Sequence, residues 1–272
     1  MKYLNLADGN RIPEMGFGCY NAFGDEMVKA VACAIGSGYA YIDSAEKYGN
    51  EDEVGKGISE AGAKREDLFL LSKAWPTSFG NLEDALVQTM KKLGTDYLDA
   101  YLLHWPGTKA DVRLKAWEQM LRLQERGLVR TAGVSNFLPE QIEEIGREFG
   151  ALPAIDELEC HPSYQQREMQ NWCRARKIQT IAYTPINRAD DLTDEAVLRL
   201  SEKYGKTPAQ IVLRWHVQHG QIPIPKSAHA ARIRENIDLF DFELTPEEMA
   251  AVDAMERGLR RGKDPREFPE GC

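Results

Sequence analysis

The stretch Tyr97-Leu98-Asp99-Ala100-Tyr101-Leu102-Leu103-His104, then the segment Val112–Glu125, then Leu128-Val129-Arg130-Thr131-Ala132-Gly133-Val134, decides the fold. The two outer pieces are short and almost continuously apolar, the pattern of strands covered on both faces in a parallel sheet. The piece between them puts Leu114, Trp117, Met120 and Leu121 on one stripe at helical spacing, with Gly127 as its stop. Strand, helix and strand on short connections make a parallel unit with a right-handed crossover.

The same unit recurs along the chain. Met15–Cys19, Ala40–Asp43, Leu68–Lys73, Tyr97–His104, Leu128–Val134, Ala154–Glu159, Ile178–Tyr183 and Gln221–Pro225 read as strands. Asp25–Ile35, Glu51–Ala61, Asn81–Lys92, Val112–Glu125, Pro139–Glu148, Arg167–Lys177 and Thr193–Tyr204 read as the helices between them. Eight such strands predict an α/β fold closed into a (β/α)8 TIM barrel rather than an open doubly wound sheet. Before the barrel, Leu4–Leu6 and Arg11–Pro13 flank Asp8-Gly9-Asn10, an N-terminal β-hairpin signal, and the hairpin is placed to plug the barrel floor. Pro208–Gln218 and Thr245–Glu256 do not fit the alternation and are expected as two extra helices outside the barrel. No Gly/Ser-rich, Pro-rich or charged stretch separates these parts, so residues 1–272 are read as a single barrel domain with 257–272 as an irregular tail.

Composition narrows the function classes. The formal net charge of −9 argues against wrapping a nucleic-acid backbone, which demands a basic face, so an anionic ligand has to be held by a local cationic pocket. No apolar run approaches the roughly 18 residues of a membrane span, and the first residues lack the apolar core of a secretory leader, which leads to the expectation of a cytoplasmic protein with no membrane partner. Cys19, Cys33, Cys160, Cys173 and Cys272 are odd in number and widely spaced, which suggests free thiols rather than a disulfide framework or a zinc site. His216 and His219 lie three apart on a helix without further ligands, so no metal is expected there.

Function in a barrel of this kind gathers at the carboxyl ends of the strands. Asp43, Tyr48 just beyond it, Lys73 and His104 stand there in apolar surroundings. Each alone has an ordinary reading: a cap, a loop aromatic, a lysine reaching solvent, a satisfied core histidine. Together they make a proton-transfer site. A phenol with a pKa near ~10 is a poor acid at neutral pH, and a neighbouring ammonium lowers that value. Lys73 is therefore expected to tune Tyr48, Asp43 to keep Lys73 charged and aimed, and His104 to polarise a carbonyl oxygen.

Tyr41-Ile42-Asp43-Ser44-Ala45-Glu46-Lys47-Tyr48-Gly49-Asn50-Glu51, Leu71-Ser72-Lys73-Ala74-Trp75, Leu102-Leu103-His104-Trp105-Pro106, Gly133-Val134-Ser135-Asn136-Phe137 and Ile224-Pro225-Lys226-Ser227 resemble signatures of the aldo-keto reductase superfamily, over about residues 4 to 256. The resemblance implies NADPH-dependent reduction of small aldehydes and ketones by a monomer, with the tetrad Asp43, Tyr48, Lys73 and His104 and with Tyr48 as general acid. It also implies that Ser135 and Asn136 meet the nicotinamide carboxamide of NADPH or NADP+ and that Tyr183 stacks on the ring. Lys226, Ser227 and Arg232 lead from the last strand into a helix, where cations and backbone N–H groups suit a phosphate. Lys226 and Arg232 resemble the residues that grip the 2′-phosphate, and Glu235 and Asn236 those that meet adenine. Tyr20, Lys47, Trp75 and Trp105 form the implied substrate pocket.

The chain departs from the family in two places. Asp156-Glu157 stand where Asn-Gln is usual, so Glu157 is an unusual occupant of the carboxamide position, and its charge is expected to favour NADP+ over NADPH. Only Asn187–Leu192 follows Tyr183-Thr184-Pro185-Ile186 before the next helix, too short for a full clasp over the cofactor, so weaker or faster-exchanging binding is expected. Short loops and the Arg257–Pro265 tail are similar to the bacterial branch that includes 2,5-diketogluconate reductases and aldehyde reductases. Lys47 and the tail arginines suggest anionic or polyhydroxylated carbonyls. Two rivals are a non-catalytic cofactor-binding barrel, against which the intact tetrad stands, and a phosphate-binding barrel isomerase, for which Lys226-Ser227-Ala228 lacks the glycines.

Overall fold

In the computed structural model, which describes residues 2–267, the expected strands form as β3 (Phe17–Gly18), β4 (Tyr41–Asp43), β5 (Phe69–Ala74), β6 (Leu98–Leu103), β7 (Val129–Ser135), β8 (Ile155–Glu159), β9 (Gln179–Tyr183) and β10 (Ile222–Pro223). Cys272 and the end of the expected tail lie outside the described residues. Every residue of β5, β6 and β8 is buried, as strands covered on both faces require. All eight are parallel and pair in chain order from β3 to β10. The amides of Gly16 and Gly18 donate to the carbonyls of Pro223 and Pro225, each at 3.1 Å, and these two bonds join the last strand to the first and close the barrel. Gly18 is required at that seam, because a Cβ there would sit 2.8 Å from the carbonyl oxygen of Ile224.

Eight helices alternate with the strands: α1 (Gly24–Gly36), α2 (Glu51–Ala61), α3 (Leu82–Leu93), α4 (Ala110–Glu125), α5 (Pro139–Phe149), α6 (Arg167–Ala175), α8 (Pro208–Gln218) and α9 (Ala230–Ile237). Gly127, at φ 74°, follows the end of α4 as its stripe and stop predict. The two additional helices are α7 (Glu195–Tyr204) and α10 (Pro246–Asp253). Here the structure corrects one assignment. Pro208–Gln218, expected outside the barrel, packs beside β10 and is buried from Gln210 to His216, whereas α7 lies on its outer side. Val197, Leu200, Ile211, Val212, Trp215 and Val252 form a small core of their own among α7, α8 and α10. An outer helix with one apolar stripe and a barrel helix with one apolar stripe have the same sequence period, so the pattern alone does not separate them.

The antiparallel hairpin β1 (Tyr3–Asn5) and β2 (Arg11–Pro13) sends Leu6 and Ile12 into the barrel interior, against Tyr41, Phe69, Leu71, Leu102, Ile155, Ile181 and Ile222. Side chains two apart on a strand share a face. Tyr41 is therefore followed on the interior side by Asp43, Leu71 by Lys73, Leu102 by His104, Ile155 by Glu157 and Ile181 by Tyr183. The interior is apolar at the hairpin end and ionisable one layer above it, at the carboxyl ends.

Candidate active site

Lys73 is fully buried and organises this polar layer. Its Nζ lies 2.5 Å from Asp43 Oδ1, 3.0 Å from the carbonyl of Ser44, 3.4 Å from the Tyr48 hydroxyl and 3.2 Å from Glu157 Oε2. Burial by itself would push the lysine down, but Asp43 and then Glu157 outweigh it, so the ammonium is held well above its ordinary range. The hydroxyl of Tyr41 donates to Asp43 Oδ2 at 2.7 Å and fixes the carboxylate from below.

Tyr48 is brought to Lys73 by a single 3-10 turn, Glu46–Tyr48, ended by Gly49 at φ 67°. Two residues outside the predicted set hold that turn. Glu46 accepts from the Trp75 amide at 2.9 Å and from the Ser78 hydroxyl at 2.7 Å, tying the turn to the end of β5. Buried Asn50 donates to the carbonyls of Cys19 at 2.7 Å and Ala22 at 2.9 Å, pinning the loop after β3 that carries Tyr20. Both lie inside the quoted Tyr41–Glu51 motif, whose position beside Tyr48 is the available signal. Tyr20 meets Tyr48 edge-on at 5.1 Å.

The Tyr48 phenol does not follow the expectation of a lowered pKa. Burial, first, together with Asp43 and Glu157, outweighs the stabilising ammonium of Lys73 and raises it above the ordinary value. His104 is pushed well below its ordinary value by burial and by the cations of Lys73 and Lys47, so its ring is neutral. It packs edge-on to Tyr48 at 5.8 Å and to Trp75 at 5.2 Å, and its Nδ1 is buried without a hydrogen-bond partner.

These groups face a cavity of about 720 Å³. Tyr20, Lys47, Trp75 and Trp105 line it together with Asp43, Tyr48 and His104, and Lys47 Nζ stands 4.6 Å over the Trp75 ring. On the far side stand Asn136, Glu157 and Tyr183. Asn136, at φ 61°, donates to the His104 carbonyl at 3.1 Å and accepts from the Tyr183 hydroxyl at 2.7 Å, which ties three strand ends into one floor. Ser135 is buried behind that floor and donates to the Glu157 carbonyl at 3.0 Å. Lys226 closes the other end and donates to the Asn21 carbonyl at 3.0 Å. The chain continues from it through Ser227, whose hydroxyl accepts from the His229 amide at 3.1 Å, into α9, where Arg232 and Glu235 are exposed and Asn236 is buried.

The rim holds a network that sequence reading did not foresee. Glu159 accepts from the Arg261 amide at 2.5 Å and the Gly262 amide at 2.6 Å and lies 3.2 Å from His161 Nε2. His161 Nδ1 reaches the Ser163 hydroxyl at 3.0 Å, which donates to Asp191 at 2.8 Å. Burial disfavours the His161 cation, but hydrogen bonds to Asp191 and Glu159 outweigh it and raise its pKa. The Arg261 side chain bonds Asn187 and pairs with Asp190. The short turn after β9 and the C-terminal tail are thus joined at the cavity's edge, where Arg188, Arg261 and Gly262 form part of the wall. Cys19 also lines the cavity, and burial, with the charge of Asp43, pushes its thiol up. His216 and His219 are engaged elsewhere, with Gln221 and Asp253.

The comparisons with known proteins agree with this geometry. The sequence profile described as the Aldo/keto reductase family matches residues 14–257. The methylglyoxal reductase DkgA of Escherichia coli strain K12 is 40% identical over 267 residues, covering 97% of both chains. The crystal structure of an aldo/keto reductase from Brucella melitensis superposes with a TM-score of 0.91 at 40% identity, over 94% of this chain and 98% of that one. A Gox0644 mutant solved in complex with NADPH superposes with a TM-score of 0.93 at 34% identity, over 98% of each. By profile, sequence and structure alike, the chain belongs to the aldo/keto reductase family.

Proposed function

We propose that the protein is an NADPH-dependent oxidoreductase that reduces small aldehydes and ketones to alcohols, with Tyr48 as general acid. The observation that carries the reading is the Tyr48 hydroxyl 3.4 Å from a buried, charge-fixed Lys73, beside a neutral His104, at the wall of one cavity.

The residues present suit a nicotinamide dinucleotide. The cavity has an aromatic face at Tyr183, the amide side chain of Asn136, a buried His104 Nδ1 without a hydrogen-bond partner, a Glu157 carboxyl whose Oε2 has Lys73 at 3.2 Å, and cations at Lys226 and Arg188. In this reading Ser135, Asn136 and Glu157 meet the carboxamide and Tyr183 the ring. Lys226, Ser227 and Arg232 hold the 2′-phosphate, and Glu235 and Asn236 the adenine. When bound, NADPH supplies the hydride that attacks the carbonyl carbon.

The chain's own groups do the rest. His104, kept neutral, orients and polarises the carbonyl oxygen by a hydrogen bond without carrying a competing charge. Trp75 and Trp105 shed water from that oxygen. As the oxygen becomes an alkoxide it is a stronger base than any phenolate, so the proton leaves Tyr48 even though its resting pKa is raised. The Lys73 ammonium, locked by Asp43, then stabilises the phenolate across 3.4 Å. Raising the resting phenol while poising a cation beside it favours transfer only after charge has developed, which is where stabilisation accelerates the step.

The name of the Escherichia coli relative makes methylglyoxal and other α-dicarbonyls the first substrates to try. Lys47 over Trp75 is placed to favour carbonyls with an anionic or hydroxylated neighbour. The assembled tetrad weighs against a non-catalytic barrel. The site is complete within one chain, which supports a monomer, and free thiols at Cys33, Cys160 and Cys173 suit the cytoplasm. The test follows NADPH oxidation with aldehydes, α-dicarbonyls and keto sugars, beside NADH and Tyr48→Phe. Turnover that prefers NADPH and falls by about 10²-fold or more in the variant supports the reading. NADPH binding without turnover of any carbonyl sinks it.

A further inference from the structure

Lys73 is one cation shared by two buried carboxylates. Asp43 Oδ1 takes it at 2.5 Å, with Tyr41 completing the carboxylate's second oxygen. Glu157 Oε2 lies 3.2 Å from the same Nζ, yet that oxygen is buried and accepts no well-aligned hydrogen bond. Glu157 is 1% exposed. The groups that face it are Asp43 and Tyr41 from β4, Tyr48 from the turn after it, Lys73 from β5, Tyr183 from β9 and its own neighbour Asp156. Of these only Lys73 is positive, and Asp43 already neutralises it. A second buried carboxylate with no cation of its own sheds its charge by taking up a proton. Burial, then the charge of Asp43, pushes the Glu157 carboxyl up to about 8 against the pull of Lys73.

Glu157 also lines the cavity with Tyr48, His104, Asn136 and Tyr183. In the reading above, Asn136 and Tyr183 would hold the nicotinamide on this floor, and both line the cavity beside Glu157. Oxidised nicotinamide is positive and reduced nicotinamide is neutral, so only the former supplies the second cation that the cluster lacks.

We propose that Glu157 is a proton-storing residue acting through Lys73: it carries a proton when the floor is empty or covered by neutral reduced nicotinamide, and gives that proton up when the nicotinamide is positive. The inference rests on the NADPH-dependent reading above. In reduction the balance closes within the site. The carbonyl carbon gains hydride and its oxygen gains the Tyr48 proton. Lys73 Nζ passes a proton to the phenolate across 3.4 Å, and Glu157 replaces it across 3.2 Å and becomes a carboxylate. Exchange of spent for fresh cofactor then lets Glu157 take a proton from solvent. When NADP+ binds to the resting enzyme, the same proton goes directly to solvent.

Calorimetric titration of the whole protein with NADP+ and with NADPH, in buffers of different ionisation enthalpy, counts those protons without turnover. At pH 7 NADP+ is expected to release close to one proton more than NADPH. The ratio of the Kd for NADP+ to that for NADPH should fall about tenfold per pH unit between roughly pH 6 and 7.5. Titration of the 2′-phosphate contributes equally to both ligands and cancels in the ratio. Glu157→Gln is expected to abolish the extra proton and flatten the ratio, while Glu157→Asp, which keeps a carboxyl, retains the slope. Equal proton counts in the wild-type protein, or a slope that survives in Glu157→Gln, would overturn the proposal. Failure of both cofactors to bind would instead overturn the reductase reading itself.

Discussion

Glu159→Gln tests whether the rim network holds the C-terminal tail against the cavity. The two Glu159 oxygens receive the amides of Arg261 and Gly262 at 2.5 and 2.6 Å, with His161 Nε2 at 3.2 Å. Replacing the carboxylate by an amide of the same shape turns one acceptor into an NH2 group that faces a donor. The change loses one charge-assisted hydrogen bond, worth roughly 1.5–3 kcal/mol, and leaves a partly buried donor unpaired. The tail can peel away locally, so the loss appears as tail opening rather than global unfolding. An opening free energy reduced by about 2 kcal/mol corresponds to a fall of roughly 30-fold in amide protection. Hydrogen exchange read by mass spectrometry should show that fall at Arg261 and Gly262, with β6 unchanged. The pH dependence carries a second signature. Hydrogen bonding raises His161 above 6.5, so its contribution is complete below the unfolded value and fades as pH rises through the folded one. Glu159 and Asp191 are lowered by His161 and their other donors against burial, so their contribution fades only as pH falls through their folded values. Wild-type tail protection, corrected for intrinsic exchange, is therefore expected to be higher near pH 6 than near pH 8.5. Equal protection in Glu159→Gln and wild type would refute the latch.

Three further outcomes are expected. Glu157→Gln should stabilise the cofactor-free protein increasingly from pH 5 to 8. A carboxyl raised from 4.5 to about 8 contributes stability that is complete below 4.5 and is lost progressively as pH rises from there to the folded value, a difference on the order of 3 kcal/mol at pH 7 by urea unfolding. A gap that does not grow with pH would show Glu157 to be ionised throughout. Asn50→Ala removes the bonds to the Cys19 and Ala22 carbonyls but also an Oδ1 without a partner, for a net loss of about 1–2 kcal/mol and a raised KM as the Tyr20 loop loosens. Arg232→Ala should weaken NADPH about tenfold to a hundredfold in fluorescence titration and leave NADH unaffected; equal loss for both would move the 2′-phosphate elsewhere.

The tetrad was legible because each member ends a strand or follows one closely, and the carboxyl ends of parallel strands converge whatever the loops do. Asp43, Tyr48, Lys73 and His104 do meet. Glu157 was legible only as an unusual occupant of a cofactor position. Its contact with Lys73 spans the interior between β8 and β5, strands that are not neighbours, and depends on the layer each residue occupies once the ring is closed. The Tyr48 shift runs opposite to the expectation for the same reason: the ammonium of Lys73 can be placed at the site from its strand end, whereas the depth of burial and the second carboxylate depend on the closed barrel. The Glu159 network joins residues 159 to 163, 187 to 191 and 261 to 262, which share no periodicity.

Sequence alone determined the eight strands, the hairpin, the closed barrel and the meeting of Asp43, Tyr48, Lys73 and His104, because all of them follow from short-range patterns: periodicity, turn residues, and polar groups at strand ends. Tertiary structure alone decided which helix stands against β10, which carboxylates share Lys73, and what ties the tail to the rim. Those depend on register and burial, and a charge in a buried layer takes its energy from every group across the barrel rather than from its neighbours along the chain.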